Sequence, residues 1–281
     1  MKGKPLILMA DAMLAGSSPR AKADFINLGT AGDFAVLGGT TVTNTGLTVI
    51  TGGNVGVSPG PAITGFPPGT VAAPYSLHPG DAVARQAQLD LTDAYAKAAT
   101  LSPTQDLSGQ NLGGLILLPG VYRFSSSAQL TGILTLDARG DPNALFVFQI
   151  GSTLTTAGGS SVVTINNGVG MPGCNVFYQV GSSATIGTGT EFQGHILALT
   201  SISLNTNATI LNGSALAING AVTLDINKIN NCVSLVPAPG SVALTLIGGT
   251  VLGLPALGKR LRGGASRRRA GRKPPDVFRV A

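Results

Sequence analysis

The sequence predicts an all-β solenoid with one long helix, and three observations carry that prediction. Short segments recur every 18 to 20 residues, each a few alternating residues long and closed by Gly or Asn. The composition is Gly- and Thr-rich, with 40 glycines, no Trp and only 11% charged residues; a soluble domain usually carries about a quarter charged residues. One stretch alone changes period from two to that of a helix.

The repeats come first. SSATI (182–186), TSISL (200–204) and GAVTL (220–224) align with Ile186, Leu204 and Leu224 in register. GSTLTT (151–156) is an earlier copy behind a longer insertion. Each copy runs on through a corner into further short strands, such as GHILAL (194–199) and GSALAI (213–218). Repeats of about 20 residues built from several strands stack coil on coil. A jelly roll or sandwich is the competing all-β arrangement.

Alternation then assigns the faces. Leu154, Ala184, Ile186, Ile202, Leu204, Val222 and Leu224 point inward. The opposite parity is Thr153, Thr155, Ser183, Thr185, Ser201, Ser203, Ala221 and Thr223, and Thr41 and Thr43 extend it on another coil. Stacking sets these in two columns with rungs about 4.7–4.9 Å apart. The result is a flat array of small hydroxyls, although Thr is also simply a good strand former.

The helical segment is GDAVARQAQLDLTDAYAKAATL, residues 80–101. Val83, Ala87, Leu91, Ala94 and Ala98 recur at helical spacing, Asp81 caps the first turn, and Ser102 with Pro103 ends it. Its apolar stripe is mostly Ala and suits close packing on a flat neighbour.

The termini differ from this body. Residues 1–23 read as a weak signal peptide, with Lys2 and Lys4, an apolar run over 6–15 interrupted by Asp11, and an A-x-A site at 21–23; a disordered leader is the alternative. Residues 24–235 form the solenoid domain. The net charge of +6 belongs to the far end, where residues 259–281 hold nine of the eighteen Lys and Arg. The body has no basic stripe for nucleic acid.

Residues carrying chemistry are sparse. Two cysteines, Cys174 and Cys232, allow one pairing, favoured over two buried thiols because the rest of the chain points outside the cell. With only His78 and His195 besides, no metal site and no cofactor is expected. Polysaccharide-cleaving solenoids need clustered carboxylates, whereas Asp137, Asp141, Glu191 and Asp225 are scattered over coils. His195 has no evident Ser or Asp partner in the sequence. GGNVGVSPG lacks both the Lys and the following helix of a phosphate loop. No enzymatic activity is expected.

Several blocks together resemble the ice-binding family of microbial secreted β-helix proteins, long catalogued as a domain of unknown function. They are FAVLGGTTVTNTGLTVITGGNVGVSPGPAITGFPPG (34–69), AYAKAA (94–99), LPGVYRF (118–124) and LTLDARGDPNALFVFQIGSTLTT (134–156). GCNVFYQVGSSATIGTGTEFQGHILALTSISL (173–204) and NGAVTLDINKINNC (219–232) complete the set. The resemblance implies a discontinuous right-handed β-solenoid of triangular section, with the helix packed alongside. It also implies that the partner is the ice crystal surface, bound through a flat face so that ice growth and recrystallisation are inhibited.

The expected face is Thr153, Thr155, Ser183, Thr185, Ser201, Ser203, Thr223, Thr41 and Thr43, with Thr188, Thr190, Thr206 and Thr209 as a second candidate. Tyr178 stands where the family often has Trp. Glu191 and Gln193 would spoil flatness if their strand lay on the binding face. The rival function is an extracellular adhesin or matrix protein that binds a surface or glycan with the same scaffold.

The C-terminal tail resembles a second known signal. Residues 236–262 run from Pro-rich to apolar to basic, like the Pro-Glu-Pro sorting signal of Gram-negative bacteria that an exosortase processes. Pro237, Ala238 and Pro239 lack the Glu, and the basic extension over 263–281 is long. A plain membrane anchor or a disordered tail are the alternatives. The expected location is therefore secreted or at the cell surface.

Overall fold

The computed structural model describes residues 26–167 and 174–232. The expected signal peptide and the C-terminal tail lie outside the described residues. So do all of residues 236–281; the account below is of the described residues within 1–235.

Each full coil lays one strand on each of three parallel sheets, which is the three-sided solenoid expected. Val176–Val180, Ala184–Ile186 and Glu191–Gln193 make one such coil. His195–Ala198, Ile202–Leu204 and Thr209–Leu211 make the next, and Ala215–Ala217, Val222–Asp225 and Lys228–Asn230 the one after. Parallel neighbours need a long crossover, and the other two sides of the coil supply it. Corners are tight: a Cβ on Gly181 would lie 2.5 Å from the Gly151 carbonyl oxygen of the coil beneath.

The stack is not continuous in sequence. The first coil, Phe34–Gly38, Thr41–Thr45 and Val49–Thr51, lies between the last coil and its own sequence neighbour, pairing with both. Beyond it lie Asn54–Val57 and then Leu77–Pro79, the edge strand. The chain then returns to the opposite end of the stack, where Gln105–Asp106 is the other edge strand of the same nine-stranded sheet.

The helix α1 (Ala82–Thr100) makes that return. Its 19 residues rise about 28 Å, most of the roughly 38 Å that nine stacked strands span. It lies on the nine-stranded sheet, burying Ala84, Ala87, Leu91, Ala94 and Ala98 against Leu37, Val147, Phe177, Leu197 and Leu216. Val83, expected in that stripe, is instead 48% exposed; it sits in the first turn, where the buried position is taken by Ala84.

Polar side chains fix both ends of α1. The Asp81 carboxylate accepts from Ala84 N–H at 2.9 Å. At the other end the Gln149 amide donates to the carbonyls of Ala98 and Leu101 at 2.8 and 2.7 Å, which a helix C-terminus would otherwise leave without partners. Midway, Gln88 donates to Gly38 O and Ala217 O, tying α1 to the junction between first and last coils.

Inside the prism, aromatic rings stack from coil to coil. Phe148 and Tyr178 are 4.7 Å apart and nearly parallel, with Tyr122 and Phe192 continuing the pile. Tyr178 is therefore a core residue, wholly buried, and its hydroxyl has no hydrogen-bond partner. A disulfide joins Cys174 to Cys232 with Cα atoms 5.6 Å apart, linking the segment ahead of the strand Val176–Val180 to the residues just past the last coil.

Candidate functional site

The seven-stranded sheet gathers the predicted hydroxyls. Its order is Ala128–Leu130, Leu154–Thr156, Ala184–Ile186, Ile202–Leu204, Val222–Asp225, Thr41–Thr45 and Ala62–Thr64. The strands alternate: Leu154, Ala184, Ile186, Ile202, Leu204, Val222, Leu224 and Val42 are buried, Ile63 on the edge strand is partly so, and the residues between them point away from the core. Burial of one parity is what holds register here, because a one-residue slip would expose the whole set.

Register turns the outward residues into columns. In the central column Thr155 pairs with Thr185, Thr185 with Ser203, Ser203 with Thr223, and Thr223 with Thr43. Thr64, which sequence alternation did not single out, follows Thr43. Its signal was available: AIT (62–64) has the alternation of TVT (41–43), but the four prolines that surround it obscured the strand. Thr153, Ser183, Ser201 and Thr41 form a second column at the corner, with Ala221 and Ala62 filling its remaining rungs.

The second candidate set does not form a face. Thr190 is fully buried, bonded through its hydroxyl to Thr156 at 3.0 Å and to the Ala157 carbonyl. Thr206 turns its hydroxyl to the Asp225 carboxylate. Thr188 is exposed at a corner, and Thr209 lies on the eight-stranded sheet. A Thr-rich corner needs hydroxyls to satisfy its own backbone, and here it uses them.

The other two faces have different chemistry. The nine-stranded sheet is largely covered by α1. The eight-stranded sheet presents Ile116 and Ile133, more than half exposed, beside Glu191, Gln193 and Lys228. Glu191 and Gln193 therefore lie off the hydroxyl sheet.

Reactive groups elsewhere are spent on structure. His195 does have a partner, contrary to the sequence expectation: its Nδ1 lies 2.8 Å from Ser214 Oγ, and its ring stacks on Phe177. Burial pushes its pKa down to about 4. His78 bridges Ser76 Oγ (3.0 Å) and Asp81 (2.8 Å). That carboxylate is committed to the helix cap, and the Ala84 N–H holds its pKa below the ordinary value. A cleft of about 510 Å³ beside the end of α1 is lined by Tyr95, Arg123, Gln149 and Gln179 and carries no carboxylate. Among the described residues no group of three or more His, Cys, Asp or Glu could hold a metal ion.

A family model described as ice-binding-like matches residues 36–230. The chain belongs to the ice-binding-like family. This ice-binding-like chain is 55% identical to the ice-binding protein of Nostoc sp. (strain HG1), over 93% of its own length and 97% of the relative's. Two crystal structures share the fold. An ice-binding protein from an Antarctic biological consortium has a TM-score of 0.69 at 48% identity, over 73% of this chain and 90% of that one. The ice-binding protein of the Antarctic ascomycete Antarctomyces psychrotrophicus has a TM-score of 0.68 at 40% identity, over 73% and 97%.

Proposed function

We propose that this chain is an ice-binding protein that adsorbs to ice through the seven-stranded sheet, slowing ice growth and recrystallisation. The observation that supports the face is the in-register column running from Thr155 through Thr185, Ser203 and Thr223 to Thr43. Ice presents a regular lattice of oxygens with almost no charge. A carboxylate or ammonium would keep its own hydration shell and sit badly on such a surface. Thr offers a hydroxyl and a methyl on a side chain stiff at χ1, and the ladder beneath fixes the spacing. Water ordered over such an array can merge with the crystal, and the rigidity limits the entropy lost on docking.

Replacing Thr185 or Ser203 with Tyr tests the face. Both residues stand outward between buried neighbours, so the fold should persist while a ring lifts the crystal off the adjacent rungs. Loss of ice shaping and recrystallisation inhibition at unchanged melting temperature is the expected result. Folded variants with full activity would assign ice to another face. Wild-type protein that is inert on ice but retained on a glycan array or cell surface would make it an adhesin.

The same reading includes export to the cell surface or medium, with residues 236–262 acting as a sorting signal or membrane anchor. The disulfide supports it, since such bridges persist in oxidising compartments. Fractionation of the native host and the mass of the mature C-terminus test it. A cytosolic protein with its tail intact would refute it.

A further inference from the structure

The two hydroxyl columns differ in what their oxygens are already doing. Thr153 Oγ1 donates to Ser127 Oγ at 2.9 Å. Ser183 Oγ accepts from the Ser201 N–H at 3.3 Å, and Ser201 Oγ accepts from the Ala221 N–H at 3.2 Å. The corner column thus links three pairs of neighbouring coils, and lapses to Ala at Ala221 and Ala62. In the central column no hydroxyl makes a hydrogen bond to another described residue, and a hydroxyl or its equivalent recurs on every rung from Thr155 to Thr64. Each of those oxygens keeps its donor and both acceptor sites for water.

The central column also has defined ends. At one end Thr64 is exposed on the last strand of the sheet. At the other, Thr155 is followed by Gln129 and then, across an isolated bridge, by Asn111. Hydroxyls give way there to Gln129, a longer amide with more rotamer freedom, and to Asn111, whose amide is taken up by hydrogen bonds with Gly113 and Thr131. The six hydroxyl rungs span about 24 Å.

We propose that ice contact is carried by the central column, that Thr64 is its terminal contact residue, and that Ser183 and Ser201 in the corner column are structural residues that tie neighbouring coils together. This rests on the seven-stranded sheet being the ice-binding face, and it divides that face into contact and support. It also makes Gln129 the residue that limits the column's length.

Variants of the full chain separate these roles, with melting temperature and recrystallisation inhibition measured on each. Thr64→Tyr and Thr64→Lys should each raise the inhibitory concentration at least about tenfold, the size of a lost central contact, with the fold unchanged. Ser183→Ala and Ser201→Ala should stay within about twofold of wild type on ice, as ordinary surface changes do, while melting a few degrees lower. Gln129→Thr should lower the inhibitory concentration by adding a seventh rung.

Full activity in both Thr64 variants, alongside loss in Thr185→Tyr, overturns the terminal role and leaves the face intact. Loss of ice activity in Ser201→Ala at an unchanged melting temperature overturns the division between columns. Full activity in Thr185→Tyr overturns the face itself, and this inference with it.

Discussion

Thr43 and Thr223 stand opposite each other on neighbouring strands, although they come from the first and last coils of the described chain. Val42, Thr43, Asn44 and Thr45 pair in register with Val222, Thr223, Leu224 and Asp225. The hydroxyl column is therefore continuous only because the first and last coils in sequence stack on each other. Buried Asn227 strengthens the seam: its N–H donates to Thr48 Oγ1 at 3.0 Å, and its side-chain amide donates to Asn205 O and Ala208 O.

A double-mutant cycle checks that the seam is one surface for ice. Thr43→Tyr and Thr223→Tyr should each abolish most recrystallisation inhibition, and the double variant should be no worse than either. Neighbouring rings disturb the same patch, and effects at contacting sites do not add. Independent, additive losses would mean that the two coils meet ice separately.

The hydroxyl array was legible in the sequence because strand alternation depends only on local order. Leu154, Ile186 and Leu224 are large and buried, so the parity of Thr155, Thr185 and Thr223 follows. Which coil stacks on which was not legible. The pairing of Val42 with Val222 joins distant segments, and nothing in either segment names its partner. Glu191 was ambiguous for a related reason. Corner geometry, set by Gly189 with its positive φ, decides which sheet the next strand enters. Thr190 was misassigned because a hydroxyl that serves the backbone looks in sequence like one offered to solvent.

The disulfide should matter more to stability than to the ice face. Cys174 and Cys232 close a loop 58 residues long, and bridging such a loop stabilises by about 4 kcal/mol in the chain-entropy model. The double variant Cys174→Ala, Cys232→Ala should unfold at lower urea while keeping ice activity in the cold. Thiol titration of the unreduced, denatured wild type should find no free thiol. Two reactive thiols in protein exported by its native host would refute the bridge.

Ile226 carries backbone strain that can be removed. Its φ is +53°, a region that disfavours β-branched residues by about 1–2 kcal/mol, and 42% of its surface is exposed. Asn166 and Asn207, also at positive φ, show that Asn serves at such corners of this solenoid. Ile226→Asn should therefore raise stability by about 1 kcal/mol, read as a higher urea midpoint at unchanged slope. Its packing over Gly46 opposes the gain, and a fall in midpoint would show that packing outweighs strain.

His195 should make stability fall with acid in a defined window. Burial lowers its pKa from the ordinary 6.5 to about 4, so the folded ring stays neutral where the unfolded ring takes a proton. Between about pH 6.5 and pH 4 the unfolded state binds more protons, and stability must drop as pH falls. Above that window this group contributes no pH dependence. Asp81 and Asp90 have depressed pKa values, from the hydrogen bonds of Ala84 and Thr30 respectively. They lose their stabilisation mainly as pH falls below the ordinary carboxylate value of 3.8. Urea titrations at several pH values across the window should show a steeper decline for wild type than for His195→Gln, which keeps a polar partner for Ser214. Parallel declines in the two proteins would mean that another group drives the acid sensitivity.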